Sequence, residues 1–330
     1  LAEQDTAIIE KLDLETILSA FRQDYSKLST RIREVQHDVT CECEGVNLRI
    51  HYPSFRQGKA TIGEFVDLVS LHITPFALSR AEIAKVYDLH GTLSVAEFHQ
   101  RCTELDQTAL SLFKKAAEVT GRNGEAGELI LYLFTEWILG APQIIAKMAL
   151  KTNPEMPVHG SDGVHVRFCK KTSRLLIYWG ESKLYTDVNA AITEAVKSVT
   201  EAFSNEKMSH EIALVKRNID FVGLDVVAKT ELLKFLDPME EEYNNRHDVV
   251  TCLIGFDFDG FAQVSATDCD QAEEKFIALA KSKLSAVAPS VAEKLKAAGL
   301  GTEHVEIFFL PVPSVQKLRD LFQAKIGWKT

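Results

Sequence analysis

The run Leu175-Leu176-Ile177-Tyr178-Trp179, followed at once by Gly180-Glu181-Ser182-Lys183, constrains this chain more than any other segment. Unbroken apolar character over a stretch this short reads as a strand buried on both faces. Such a strand needs a neighbour at each edge and a covering layer on each side, which is the setting of an α/β sheet. Charge begins where the apolar run ends. Successive strand side chains alternate between faces, so Glu181 and Lys183 project from the same side.

A second strand precedes it, entered through Val158-His159-Gly160-Ser161-Asp162-Gly163. Between the two lies Lys170-Lys171-Thr172-Ser173, four polar residues suited to a hairpin turn. A turn centred between Lys171 and Thr172 puts Asp162 directly opposite Glu181, with Cβ atoms roughly 4.5–5.5 Å apart. A slip of one residue makes that contact diagonal. Two facing carboxylates repel, and a half-buried site does not keep both ionised without compensation. A divalent cation removes the conflict, and Mg²⁺, for which Mn²⁺ substitutes, prefers such oxygen ligands.

A third acid is expected from upstream. Gly121-Arg122-Asn123-Gly124 is rich in turn formers, and the run from Glu125 to about Gly140 has helical periodicity. Its apolar positions Leu129, Ile130, Leu133, Phe134, Trp137 and Ile138 share a face, and Glu125 and Glu128 lie one turn apart at its start. A further helix is expected from about Asp187 to Phe203. The order is an acid-bearing helix, an Asp strand, a Glu-x-Lys strand and a second helix. It resembles the restriction-endonuclease-like core of the PD-(D/E)xK nucleases, a mixed sheet flanked by helices.

The resemblance narrows further on Gly124-Glu125-Ala126-Gly127-Glu128, Gly140-Ala141-Pro142 and Lys147-Met148-Ala149-Leu150-Lys151-Thr152. Met156 to His165 and Trp179 to Tyr185 extend it. Together these segments, within roughly residues 120 to 205, resemble the HamA family, the nuclease component of the bacterial Hachiman anti-phage system. That resemblance implies a cytoplasmic DNA-degrading effector held in check by HamB, a superfamily 2 helicase-like ATPase. It implies Asp162 and Glu181 as metal ligands, and Lys183 as the group that steadies the attacking water or the charge on phosphorus. Glu128 is the preferred helical ligand, with Glu125 close behind. The Ser182 backbone carbonyl, between Glu181 and Lys183, is a further candidate ligand. Two rival readings share the core: a degenerate nuclease-fold subunit that regulates or anchors the helicase, and an RNase.

The net charge of −10 argues against a free-standing DNA binder, because phosphate affinity comes from Lys and Arg. Locally the balance reverses. From Gly140 to Tyr185 seven Lys or Arg stand against three acids, a local charge of +4. Lys147, Lys151, Lys170 and Lys171, with His159 and His165 flanking Asp162, are the candidate DNA contacts. For each histidine a structural role on a strand is the competing assignment. Asp162 equally suits a Ser-Asp-Gly turn, and Glu125 and Glu128 equally suit a positive helix N-terminus.

Other classes find little support. No run of 18 apolar residues marks a membrane span, and the first residues have neither the basic nor the apolar part of a signal peptide. The six cysteines are scattered, unlike a disulfide framework, and are expected reduced. Cys41-Glu42-Cys43 lacks the second pair of a zinc site. No phosphate-binding Gly-x-x-x-x-Gly-Lys-[Ser/Thr] loop occurs, so ATP use falls to a partner. Asp257-Phe258-Asp259-Gly260 reads as a strand-ending turn rather than a calcium loop.

The organisation expected is an α+β N-terminal module over residues 1–115 and a core over 116–330. The first contains a helical lead from residue 6 to about 36, a strand from Val46 to Tyr52, and two stretches of mixed pattern at 61–72 and 94–119. The second continues past Phe203 with helix from Ser209 to Phe235 broken near Gly223. A buried strand at Val249–Phe256, a long helix at Ala272–Ala298, a strand at Val305–Leu310 and a short terminal helix complete it.

Overall fold

Side-chain alternation along the central strands sorts the molecule into three layers. The computed structural model describes residues 14–120, 124–148, 161–202, 204–219, 223–265 and 269–328. Its first part contains α1 (Leu14–Ala20), β1 (Ile32–Glu34), β2 (Val46–Pro53), β3 (Phe55–Arg56), β4 (Lys59–Ala60), α2 (Ile62–Ser70), α3 (Ile73–Ala77), α4 (Arg80–Tyr87) and α5 (Val95–Thr120). Then come α6 (Glu125–Trp137), β5 (Gln143–Ile145), β6 (Gly163–Cys169), β7 (Arg174–Tyr185), α7 (Val188–Ala202), α8 (Asn205–Asn218) and α9 (Val226–Lys234). β8 (Arg246–Asp257), α10 (Gly260–Ser265), α11 (Ala272–Ala297), β9 (Val305–Val312) and α12 (Val315–Ile326) follow.

Among the described residues, seven strands form one mixed sheet in the order β1-β2-β9-β8-β7-β6-β5. The four inner strands β2, β9, β8 and β7 run parallel, and antiparallel partners close both margins. Parallel strands are covered on both faces, which is why β7, β8 and β9 read as almost continuous apolar runs. Leu175, Ile177 and Trp179 join Val250, Cys252 and Ile254 in a core roofed by α7 and α11. Tyr178, Leu184, Val249 and Leu253 point the other way, into a core with α6, α2, α3 and α12. Trp179 is 1% exposed, and its indole N–H is satisfied by Asp248 Oδ1 at 3.0 Å.

The elements expected in the second half all form, with Gly223 in a left-handed conformation between α8 and α9. The first half needs correction. Of the helical lead, residues 6–13 lie outside the described residues, and beyond α1 the chain forms a 3₁₀ turn at Ser26–Thr30 and then a strand. Ile32, Arg33 and Glu34 pair antiparallel with Pro53, Tyr52 and His51, so the sheet margin overrides the local helical spacing. The two mixed-pattern stretches are helices, α2 and α5. β1 and β2 share the sheet with β5 to β9, so strands from both sides of residue 115 build one sheet.

Buried polar groups tie the layers together. The Glu136 carboxylate, 2% exposed at the end of α6, accepts from the Arg80 guanidinium at 3.1 Å, the Gln143 N–H at 2.7 Å and the Tyr25 hydroxyl. Burial raises its pKa, and Arg80 and these hydrogen bonds oppose that rise. The contact starts β5 and pins the N-terminal segment to α6.

Gly255 of β8 sits beside Leu184 of β7 in register, and a Cβ there would overlap the Leu184 side chain. Gly255→Val is therefore expected to destabilise the fold by ~1–3 kcal/mol through overpacking. Urea denaturation should record that loss, and Leu184→Ala added to the same chain should recover part of it.

Candidate active site

The hairpin forms with the turn and register read from the sequence. Gly163 pairs with Gly180 and the ladder runs to Cys169 opposite Arg174, leaving Lys170–Ser173 as the turn. β7 is longer than β6. Beyond Gly180 it keeps β8 on one side, with Glu181 opposite Cys252 and Lys183 opposite Ile254, while β6 has ended on the other.

Asp162 occupies that gap. Its N–H donates to the Gly180 carbonyl at 2.6 Å, one residue out of step with the ladder, so the contact with the Glu-x-Lys segment is diagonal. Its Oδ2 accepts from the Ser182 N–H and the Ser182 hydroxyl, both at 2.8 Å. The carboxylate thus does for β7 what a further residue of β6 would have done. N–H and C=O of one strand residue face the same edge, so the Ser182 carbonyl looks toward this margin too.

Glu181 and Lys183 share a face as expected and are bonded to each other through Oε1 and Nζ. Their side chains are 19% and 18% exposed. Burial raises the Glu181 pKa, the Asp162 charge raises it further, and Lys183 and the Ser198 hydroxyl of α7 pull it back. For Lys183 burial opposes the charge, but Glu181, by charge and hydrogen bond, outweighs it with help from Asp162 and Tyr185, and the amine's pKa is raised.

The helical acids come from the first turn of α6. Cβ atoms built on Gly127 would meet Ser182 Oγ and Leu184 Cγ at 3.1 Å, which sets the first turn of α6 on the face opposite Glu181 and Lys183. Glu125, 8% exposed, lines a cavity with Arg319, Phe322, Gln323 and Trp328, toward α12. Glu128 is half-buried in the same turn of α6. Among the described residues no three His, Cys, Asp or Glu are grouped as a metal site. The donors present nonetheless suit Mg²⁺, which takes one or two carboxylates and fills the rest of its octahedron with water and substrate oxygens. Asp162 and Glu181, electrostatically linked at one strand edge beside a backbone carbonyl, are such a set.

The candidate DNA contacts divide. Lys147 is 2% exposed, and its Nζ donates to the Ser161 carbonyl and hydroxyl, each at 2.8 Å, and to Glu211 Oε2 at 2.5 Å. That corrects its assignment to a phosphate-facing surface, because the amine is spent inside. His165 is 2% exposed beneath Tyr132, with Nδ1 at 2.9 Å from the Ala141 carbonyl. Burial pushes its pKa down to about 3, so it is a neutral core histidine rather than a phosphate ligand. Lys170 and Lys171 are exposed, but on the turn at the far end of the hairpin, more than about 20 Å along the strand from Asp162 at ~3.3 Å per residue. Lys151 and His159 lie outside the described residues.

Three contributors escaped the sequence reading: Ser198, Glu211 and the Ser182 hydroxyl. Ser182 stood inside the Glu-Ser-Lys motif, whereas no motif marked Ser198 or Glu211. Removing only one partner of the buried Lys147–Glu211 pair leaves an uncompensated charge, so Lys147→Met should cost ~3–5 kcal/mol. Lys147→Met combined with Glu211→Leu should regain most of that in thermal or urea denaturation. A double variant as unstable as the single one would contradict the pairing.

Among the described residues no helix is long and apolar enough to cross a membrane. A comparison with the curated proteins gives no match. The HamA family model matches residues 30–326 of the 330, spanning the sheet, the hairpin and both flanking layers, and the chain belongs to the HamA family.

Proposed function

We propose that this chain is a metal-dependent DNA nuclease with a PD-(D/E)xK active centre, working as the effector of its defence system under the control of a helicase partner. Membership of the HamA family gives it a role in the Hachiman anti-phage system. The observation that carries the nuclease reading is the meeting of Asp162, Glu181 and Lys183 at the open edge of β7. The element order supports it as well: α6, the strands β5 to β7 side by side, the crossover α7, then β8 parallel to β7.

In this reading Asp162 and Glu181 hold the cation, with the Ser182 carbonyl as a further oxygen donor. A bound divalent ion supplies a water that ionises near neutral pH and charge compensation for the phosphate. Lys183 keeps its proton at neutral pH, because its raised pKa reflects the carboxylates beside it. It therefore acts as a fixed positive charge that orients water and phosphate oxygens rather than as a base. The covering layer of α7 limits water around Glu181, which strengthens each of these interactions. An acidic chain has little phosphate affinity of its own, so a helicase that delivers the strand fits the charge balance.

A second reading draws on the same contacts. Asp162 is already bonded to Ser182, and Glu181 to Lys183, as in a purely structural edge cap. A subunit that only anchors the helicase would use the site in that way.

Cleavage assays on DNA and RNA with purified chain, partner and Mg²⁺ or Mn²⁺ separate the readings. Lys183→Met is expected to slow DNA cutting by about 10²–10³-fold, and Glu181→Ala to remove it, with partner binding retained. Cutting by both variants at the native rate would sink the assignment, and phage protection by Lys183→Met would favour the anchor. The pH profile carries a sign. A Glu181 carboxyl whose pKa is raised takes up its proton above the ordinary glutamate range, so activity should fall there as pH drops. In Lys183→Met, which removes a charge that lowers this pKa, that limb should move to still higher pH.

A further inference from the structure

Ser161, the residue before Asp162, is held by all three of its polar groups. Its N–H donates to Glu211 Oε1 at 3.2 Å and its hydroxyl lies 3.2 Å from Glu211 Oε2. Lys147 Nζ donates to its carbonyl and its hydroxyl, both at 2.8 Å. Lys147 and Glu211, bonded to each other at 2.5 Å, have side chains 1% and 6% exposed. They come from separate parts of the fold, Lys147 just beyond β5 and Glu211 from α8.

We infer that Lys147 and Glu211 are positioning residues that clamp Ser161 and thereby hold the Asp162 carboxylate at the open edge of β7. The inference rests on the nuclease reading, in which Asp162 is a metal ligand. Two arguments lead to it. A buried ion pair is a poor way to gain stability, since an apolar pair of similar volume serves as well or better. Its four bonds to Ser161 give it a task that an apolar pair does not perform. The second argument is topological. The β6 ladder ends at Gly163, so Ser161 and Asp162 lack the regular pairing that fixes the rest of the hairpin. Beyond the ladder, Asp162 has its own bonds to Gly180 and Ser182, and the clamp fixes the residue from which it projects. A carboxylate that must meet a cation needs that backbone fixed, as supporting groups around metal ligands do elsewhere.

The test uses the full chain with Lys147→Met/Glu211→Leu, which removes the clamp and keeps the volume apolar, and Ser161→Ala, which leaves the ion pair intact and removes only the hydroxyl's bonds to it. Three quantities are read beside the melting temperature: amide exchange at Ser182, Mn²⁺ affinity by titration, and metal-dependent DNA cleavage with the partner present. With melting near that of the native chain, the double variant should exchange the Ser182 amide at least tenfold faster. It should also bind Mn²⁺ about 10–100-fold more weakly, the usual consequence of losing support around a metal ligand. Ser161→Ala should show the same changes in smaller measure, and it decides the matter where the double variant does not fold. Native exchange and native Mn²⁺ affinity in a folded variant overturn the clamp. A native chain that neither binds Mn²⁺ nor cuts DNA rejects the nuclease reading instead. Ser182 exchange then judges the clamp alone, with faster exchange supporting it and unchanged exchange overturning it.

Discussion

The open edge of β7 is the constraint from which the site follows. A parallel strand that outlasts its antiparallel neighbour presents unpaired N–H and C=O groups inside a covered sheet, and such groups must find partners. Here the partner at Ser182 is a carboxylate, not another backbone. An anion drawn into the plane of the sheet lies close to the next two side chains of the strand, Glu181 and Lys183, and perturbs both. The ladder's early end at Gly163 therefore brings the acid pair and the fixed amine together in one step.

Layering then divides the labour. Glu181 and Lys183 face α7, and Ser182 and Leu184 face α6, because strand side chains alternate. Gly127 allows α6 to approach Ser182 to contact distance, since a side chain there would press on both Ser182 and Leu184. The acids at the head of α6 consequently sit across the sheet from Glu181, and Glu125 turns toward α12. On the proposed metal-dependent reading, two carboxylates at the edge would be a sparse ligand set for a cation that keeps much of its own water. Such a set would leave coordination positions for phosphate oxygens, so on that reading sparseness and substrate binding go together.

Much of this was legible in the chain itself. The hairpin could be counted because a polar four-residue turn stood between two apolar runs, and each further residue of register followed from that turn. The departure at Asp162 was not countable, since it depends on where β6 stops rather than on pattern. Lys147 misled for a physical reason: a lysine in a basic stretch is ordinarily solvated, and its burial depends on Glu211, which no local pattern brings near. His165 followed the ordinary fate of a histidine on a buried strand. The first third was hardest because β1, which lies within the expected helical lead, is a three-residue edge strand formed by pairing with β2. Its membership of the main sheet is a long-range fact that composition does not carry.

The placement of charge also bears on control. Among the described residues, most of the basic side chains between Gly140 and Tyr185 lie away from the edge of β7: Lys147 is buried against Glu211, and Lys170 and Lys171 sit at the hairpin's far end. Arg167 is likewise engaged, donating to the Leu139 carbonyl at 2.9 Å. Among the described residues Lys183 stays beside the two carboxylates, and Glu181 already holds it. A site so arranged offers a phosphate backbone little long-range attraction on a chain with a net charge of −10. On the proposed nuclease reading, selectivity would rest on delivery: a strand held against the edge of β7 by a partner would meet the carboxylates and the amine at close range, while free DNA would not be drawn to them. On that reading, weak intrinsic attraction is a restraint written into the charge distribution, one that would keep the proposed nuclease site quiet without any need to distort it.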